Sequence, residues 1–356
     1  MSVLITGGAG YIGSHMVWEC VDRGEDVVVI DNLVTGFEWA LAPGITFIRG
    51  DVGDQQLVEH VLREHRIDTI VHFAGSVVVP ESLEKPLKYY DNNTGKTRAL
   101  LASAVRCGVD KFIFSSTAAV YAPPSDLTPV DETAPLAPSA PYGQSKLMSE
   151  IMVRDTALAH GMRYVMLRYF NVAGADPKGR TGLSTKGATH VMKLACEAAT
   201  GKRPYFEVYG TNYDTPDGSA MRDFIHVSDL ANAHYVAMQF LRQGGRKFTG
   251  NAGYSQGYSV LRVIEAVQEV AGKKFEVRSG PRREGDIPAI VADASRMMKR
   301  LDWRGQYQDL HTIIEHALAW EEKLSARQQA DAPSMSTPAQ SSPTVSDGLT
   351  NRATLV

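Results

Sequence analysis

Tyr142 and Lys146 stand four residues apart, about 25 residues after Ser115-Ser116-Thr117 closes an apolar run. On a helix that spacing puts a phenol and an ammonium on one face. A phenol with a pKa near 10 is a poor base at neutral pH, but a nearby ammonium and a positively charged bound ring stabilise the phenolate. A three-unit shift corresponds to roughly 4 kcal/mol, within reach of two cations in a water-poor cleft. Thr117 is placed to hydrogen-bond the same substrate hydroxyl and position its proton.

A second constellation is Gly7-Gly8-Ala9-Gly10-Tyr11-Ile12-Gly13, between a strand-like Val3–Thr6 and a helix pattern that begins at Ile12. Glycines there allow a tight turn and bring the backbone close to a pyrophosphate on the positive end of the helix. Asp31, 18 residues past Gly13, closes the second apolar run and can accept hydrogen bonds from ribose hydroxyls. Its carboxylate repels a 2′-phosphate, and Asn32-Leu33-Val34 supplies no arginine, so the expected cofactor is NAD rather than NADP. No His/Cys/Asp cluster shows ligand spacing, and no metal is expected.

These residues need a scaffold. Strands are expected at Val3–Thr6, Val27–Ile30, Thr46–Ile48, Thr69–Phe73, Phe112–Ser115 and Tyr164–Arg168, with helices at Ile12–Arg23, Gln55–His65, Lys96–Cys107 and Tyr142–His160. Near-continuous apolar strands alternating with helices indicate a doubly wound parallel sheet. On the 142–160 helix, Leu147, Ile151 and Leu158 supply an apolar side for packing. The expected class is α/β: a Rossmann domain over 1–171 with a returning segment near 211–240, and a smaller, interleaved α/β substrate domain over 172–324. Residues 325–356 are expected to be a disordered tail. From Gln328 onward Ser, Thr, Pro, Ala and Gln dominate, and Phe, Tyr, Trp and Ile are absent.

With 356 residues, about two domains are expected. Hydrophobic residues at 44%, charged residues at 22% and a net charge of −3 fit a soluble globular protein and leave no basic footprint for nucleic acid. Three scattered cysteines (Cys20, Cys107, Cys196) suit a reducing compartment. No run reaches the ~18 apolar residues of a membrane span, and the N-terminus lacks the basic start of a signal peptide, so a cytoplasmic location is expected.

The chain resembles the extended short-chain dehydrogenase/reductases, and within them the UDP-glucose 4-epimerases, over roughly Met1 to Leu324. The matching motifs are ITGGAGYIGSH, VVIDNL, RGDVGD, HFAG, PESLEKPLKYYDNN, FSSTAAVY, PYGQSKLMSE, LRYFNVAGADP, YGTNYDTPDGSAMRDFIHVSDLA and RREGDIPAIVADAS. The resemblance implies that Tyr142 is the catalytic base, that Lys146 holds the nicotinamide ribose and that Thr117 fills the Ser/Thr position. It adds Asp51, Val52, Phe73, Ala74, Asn93, Ser115 and Tyr169 to the cofactor residues. It assigns Asn171, Arg222, Arg283 and Asp286 to the UDP portion, with Tyr209 in the segment that reads uracil and His190 facing substrate. Paired arginines suit a diphosphate on physical grounds as well.

The implied reaction interconverts UDP-glucose and UDP-galactose through a 4-keto intermediate, with NAD tightly bound. Helices 96–107 and 142–160 match those that pair in a homodimer. Four positions depart from the family pattern: Val77 for a lysine, Ile290 at a pocket position of variable size, His190 for an asparagine, and Lys193 for a proline on an expected helix surface. Ile290 and His190 leave the sugar open, so UDP-GlcNAc or UDP-xylose are alternative substrates. A 4,6-dehydratase needs an acid and a base where Ala118-Ala119 stand. A non-catalytic NAD sensor would need neither the Tyr/Lys pair nor the arginines.

Overall fold

A computed structural model of the chain describes residues 2–283 and 286–330. In chain order the first half reads β1 (Ser2–Thr6), α1 (Tyr11–Asp22), β2 (Val27–Asp31), β3 (Thr46–Arg49), α2 (Gln55–Glu64), β4 (Ile67–His72), α3 (Val79–Glu84), α4 (Pro86–Tyr89), α5 (Lys96–Cys107), β5 (Lys111–Thr117), α6 (Pro141–His160) and β6 (Arg163–Tyr169). A π-helical turn, Tyr90–Gly95, joins α4 to α5. The second half reads β7 (Asn171–Ala173), α7 (Val191–Ala199), β8 (Tyr205–Tyr209), β9 (Met221–His226), α8 (Val227–Arg242), β10 (Lys247–Ala252), β11 (Gly257–Ser259), α9 (Val260–Ala271), β12 (Glu276–Gly280), β13 (Ala289–Ile290), α10 (Ser295–Leu301) and α11 (Leu310–Ala330).

Seven parallel strands form one sheet in the order β10-β6-β5-β4-β1-β2-β3. The chain reverses direction across the sheet between β1 and β4, and a crevice opens at such a switch, outside the carboxyl ends of the strands. Both faces are covered. Met16, Val17, Ile113, Leu230, Ala237 and Met238 belong to one core, on the α1 and α8 side. Leu4, Ile30, Val58, Leu100, Phe112 and Val153 belong to the other, under α2, α5 and α6. The expected strands of the first half are all present, shifted by one or two residues at their ends. α8, most of which falls within residues 211–240, packs on the large sheet, and β10, beyond that window, joins it, whereas β9 pairs with β7, β11 and β13.

A third core joins α7, α9 and α11 through Met192, Cys196, Val263, Val267 and Ile313. Segment 174–185 bridges the halves: Tyr11 Oη donates to the Gly174 carbonyl at 2.7 Å, and the Ser14 and Thr181 hydroxyls meet at 2.8 Å. Two expectations fail here. Lys193 is buried, not on a helix surface, because its ammonium pairs with the buried Glu321 of α11 at 2.5 Å. Residues 325–330, placed in the disordered tail, continue α11, and the Arg327 guanidinium stacks 4.0 Å from the centre of the Trp39 ring. The rest of that tail, 331–356, lies outside the described residues. No helix among the described residues is long and apolar enough to cross a membrane.

Candidate active site

The glycine loop closes over the crevice between β1 and β4. Gly7 has φ +70°, and a Cβ there would sit 2.6 Å from the Ala74 amide nitrogen, at the end of β4. A Cβ on Gly13 would fall 2.1 Å from the Gly7 carbonyl oxygen, so only glycine lets α1 come this close to β1. Gly10 caps α1 and no side chain occupies the cap. The first-turn N–H groups, those of Tyr11 and Ile12 included, therefore remain available to an anion.

Asp31, at the end of β2, accepts from the amide nitrogens of Ala9 at 2.9 Å and Leu33 at 2.8 Å. Burial raises its carboxyl above the ordinary value, and these two donors act against the rise. Next to it, Asn32 Oδ1 accepts from the Val34 amide at 3.1 Å. Burial also works to raise the Asp51 carboxyl, yet the Lys96 ammonium, 2.5 Å away, holds it below its usual range. Val52 is part of the core beneath. Phe73 and Ala74 both donate to the Thr6 carbonyl oxygen, at 3.0 and 3.1 Å. Asn93, on the π-helical turn, donates from Nδ2 to the Ser76 carbonyl and the Ser145 hydroxyl, both at 3.0 Å, and accepts from the Ser76 amide at 2.7 Å.

The chemistry-bearing residues converge where β5 meets α6. Pro141 opens α6, and Tyr142 and Lys146 both lie on its buried face. Lys146 Nζ donates to the Ser115 carbonyl at 3.0 Å and lies 4.9 Å from the centre of the Phe114 ring. Burial pushes its pKa down to about 8, while Glu150 draws it up. Burial raises the Tyr142 phenol well above its ordinary value; Tyr169 adds to this, and the nearby Thr117 hydroxyl pulls the other way. Thr117 and Tyr169 are direct partners on β5 and β6. Ser115 Oγ is buried without a hydrogen-bond partner; burial raises the Tyr169 phenol, and the nearby Ser115 hydroxyl acts against the rise. The uncapped helix start, the braced Asp31 and this unpaired hydroxyl together fit a dinucleotide.

A separate cluster gathers the phosphate-binding candidates. Arg222 pairs with Asp286 at 2.6 Å, and the Arg283 guanidinium stacks 3.9 Å from the centre of the Tyr209 ring. Ile290 is the register partner of Arg222 and packs in one cluster with Ala118, the residue after Thr117. This links the cluster to the Tyr142 site. Asn171 heads β7, opposite Phe224 of β9. His190 sits on the glycine-loop side, 6.4 Å between ring centres from Tyr11, with Nδ1 buried and unpartnered. Burial lowers its pKa, and Lys193 adds to this.

Sequence reasoning missed three residues here. Tyr89 stands edge-on to the Tyr142 ring at 6.4 Å; Tyr213 lies under Arg282 with its hydroxyl buried; and Glu150, one turn beyond Lys146, accepts from the Ser116 hydroxyl. The doubled tyrosine in PLKYYDNN was the available signal for Tyr89.

A family model described as the NAD dependent epimerase/dehydratase family matches residues 3–253. The chain belongs to this family. Among its relatives, the UDP-glucose 4-epimerase of Azospirillum brasilense is 50% identical over 332 residues, covering 93% of this chain and 95% of that one. The solved UDP-glucose 4-epimerase of Brucella ovis in complex with NAD is 40% identical, with a TM-score of 0.86 over 89% of this chain and 97% of that one. The Bifidobacterium longum enzyme in complex with NAD+ and UDP is 38% identical, with a TM-score of 0.85 over 91% and 98% of the two chains. The glycine loop packs on Ala74, and a Cβ on the next residue, Gly75, would lie 3.7 Å from Lys146 Nζ, so the loop and the Lys146 ammonium lie on either side of one short stretch of backbone. The Ala118-Ala119 step after Thr117 offers no acid or base for the dehydratase branch.

Proposed function

We propose that the chain interconverts UDP-glucose and UDP-galactose by inverting C4 of the sugar, with NAD retained throughout. The observation that carries this reading is the meeting of Tyr142, Thr117 and the Lys146–Ser115 contact at the mouth of the crevice. The pyrophosphate of NAD fits the N–H groups at the start of α1, with Gly7, Gly10 and Gly13 giving the close approach. Asp31 and Asn32 would hold the adenosine ribose, and Asp51 and Val52 the adenine side; Phe73, Ala74, Asn93, Ser115, Lys146 and Tyr169 would hold the nicotinamide half. When bound, NAD would supply a hydride acceptor and donor and a positively charged ring.

The chain's own residues do the rest. Tyr142 as phenolate takes the proton of the sugar 4-hydroxyl and later gives it back, and Thr117 hydrogen-bonds that hydroxyl to direct the proton. Lys146 stabilises the phenolate through its charge. Arg222 and Arg283 grip the diphosphate, and Asp286 accepts from the uridine ribose. Asn171, Tyr209 and His190 complete the UDP contacts. The Arg222–Asp286 ion pair keeps both side chains oriented before substrate enters. The test is Tyr142→Phe: turnover of UDP-galactose should fall roughly 10²–10⁴-fold, as for loss of a general base, with the fold unchanged. Undiminished turnover would overturn the assignment.

A homodimer belongs to the same reading. Helix α6 buries its polar residues Ser145, Lys146, Ser149 and Glu150 and exposes Met148, Ile151 and Leu158, the reverse of a helix that packs only within its own subunit. Of Leu147, Ile151 and Leu158, expected to supply an apolar side for packing, Leu147 packs in the cluster of Ala118 and Ile290, while Ile151 and Leu158 are exposed, Leu158 to 89%. Helices α3 and α4 pack beside α6 and add Val79, Leu83 and Leu87 to the exposed apolar face. A second copy of this face is the partner we infer. Three free thiols are in keeping with a cytoplasmic location.

A further inference from the structure

One helical turn beyond Lys146, Glu150 is buried completely. Its Oε1 accepts from the Ser116 hydroxyl at 2.6 Å and from Arg168 Nε at 2.9 Å, and its Oε2 accepts from an Arg168 terminal nitrogen at 2.7 Å. Arg168 is the register partner of Ser116 on the adjoining strand. It also donates at 3.1 Å to the Tyr121 hydroxyl, which donates in turn to Asn251 Oδ1 at 2.6 Å.

A buried ion pair is a poor way to gain stability, because apolar groups of the same volume do as well or better. Its position gives a better reason for it. Ser116 lies between Ser115, whose carbonyl receives the Lys146 ammonium, and Thr117, whose hydroxyl faces Tyr142. The carboxylate reaches from the helix that carries Tyr142 and Lys146 and holds the strand residue in the middle.

We propose that Glu150, clamped by Arg168, is a positioning residue that fixes α6 against β5 so that Lys146 meets Ser115 and Tyr142 meets Thr117. This rests on the reading of Tyr142, Lys146 and Thr117 as the catalytic set. The same carboxylate supplies the negative charge that opposes the effect of burial on Lys146. The other groups around the ammonium add none while the phenols are neutral. Tyr142 shares its helix, Tyr169 and Arg168 come from β6, and Asn93 comes from the π-helical turn. His72 of β4 is pushed down to about 3 by burial and stays neutral between the hydroxyls of Thr6 and Thr97. Without Glu150, Arg168 would be left unpaired and Lys146 would lose its proton more readily.

The experiment compares Glu150→Gln, Glu150→Asp and the parent chain as NAD-loaded protein, recording kcat for UDP-galactose against pH, bound NAD and melting temperature. In Glu150→Gln the alkaline limb of kcat should move to lower pH by about one unit, with Glu150→Asp restoring most of it. An unmoved alkaline limb in a folded, NAD-loaded Glu150→Gln protein would overturn the proposal, whether kcat is normal or uniformly lowered. If Glu150→Gln does not fold, Ser116→Ala keeps the ion pair and cuts only its hold on β5. Its kcat should then fall about ten-fold with KM within two-fold, and a parental kcat would overturn the proposal. A parent chain without epimerase turnover would instead sink the underlying reading.

Discussion

Lys146 Nζ donates to the Ser115 carbonyl oxygen at 3.0 Å, so the ammonium is held by backbone two residues before Thr117. Because the lysine is buried, keeping it charged works against folding, and its pKa is pushed down to about 8. Between about 8 and the ordinary value near 10.4 the unfolded chain binds more protons, so this group makes stability rise with pH across that window. Below it, the charged lysine costs roughly 3 kcal/mol, offset in part by about 1 kcal/mol from its hydrogen bond.

Lys146→Met should therefore be more stable than the parent at pH 7, by up to about 2 kcal/mol, and lose at least about 100-fold in kcat. The advantage should shrink steeply by about pH 10.5, where the folded lysine is neutral and the unfolded one about half so, and be gone about a unit higher. Denaturant unfolding at the two pH values checks this; a less stable variant at pH 7 would contradict it.

The C-terminal helix predicts a difference between two truncations. A chain ending at Leu324 loses the Arg327–Trp39 stack, worth about 0.5–1 kcal/mol, and should melt about one degree lower than a chain ending at Ala330. The sequence alone placed residues 325–330 in a disordered tail. Equal melting temperatures for the two truncations would restore that view.

The outward apolar face of α6 predicts a particle of twice 38.8 kDa in light scattering. Leu158→Lys combined with Met148→Lys should shift it to monomer with Tyr142 and Lys146 undisturbed, since both positions are exposed on the side of α6 opposite the site. A monomeric parent chain would exclude the dimer.

What the sequence made legible follows from local physics. The first-half strands are apolar on both faces, and the glycine loop has one conformation compatible with its neighbours, so both could be read from residue type and spacing. The edge strand β10 was not readable, because Lys247–Ala252 carries a Gly and an Asn and is set by pairing with β6 rather than by propensity. α6 was only half legible: its apolar residues read as a packing side, but that the tertiary site claims its polar face could not be seen. The Arg222–Asp286 and Lys193–Glu321 pairs join residues 64 and 128 positions apart, a separation no periodicity reveals. Glu150 stood in plain view in SKLMSE, but its role depends on Arg168 arriving from the next strand.

A 4-epimerase that retains NAD regenerates it in every turnover. The purified protein should convert UDP-galactose to UDP-glucose with no NAD added, followed by chromatography so that no NAD-linked coupling enzyme intervenes. Steady turnover to the equilibrium mixture is the predicted result. Absence of turnover, even with NAD supplied, would contradict the assignment of UDP-galactose as substrate.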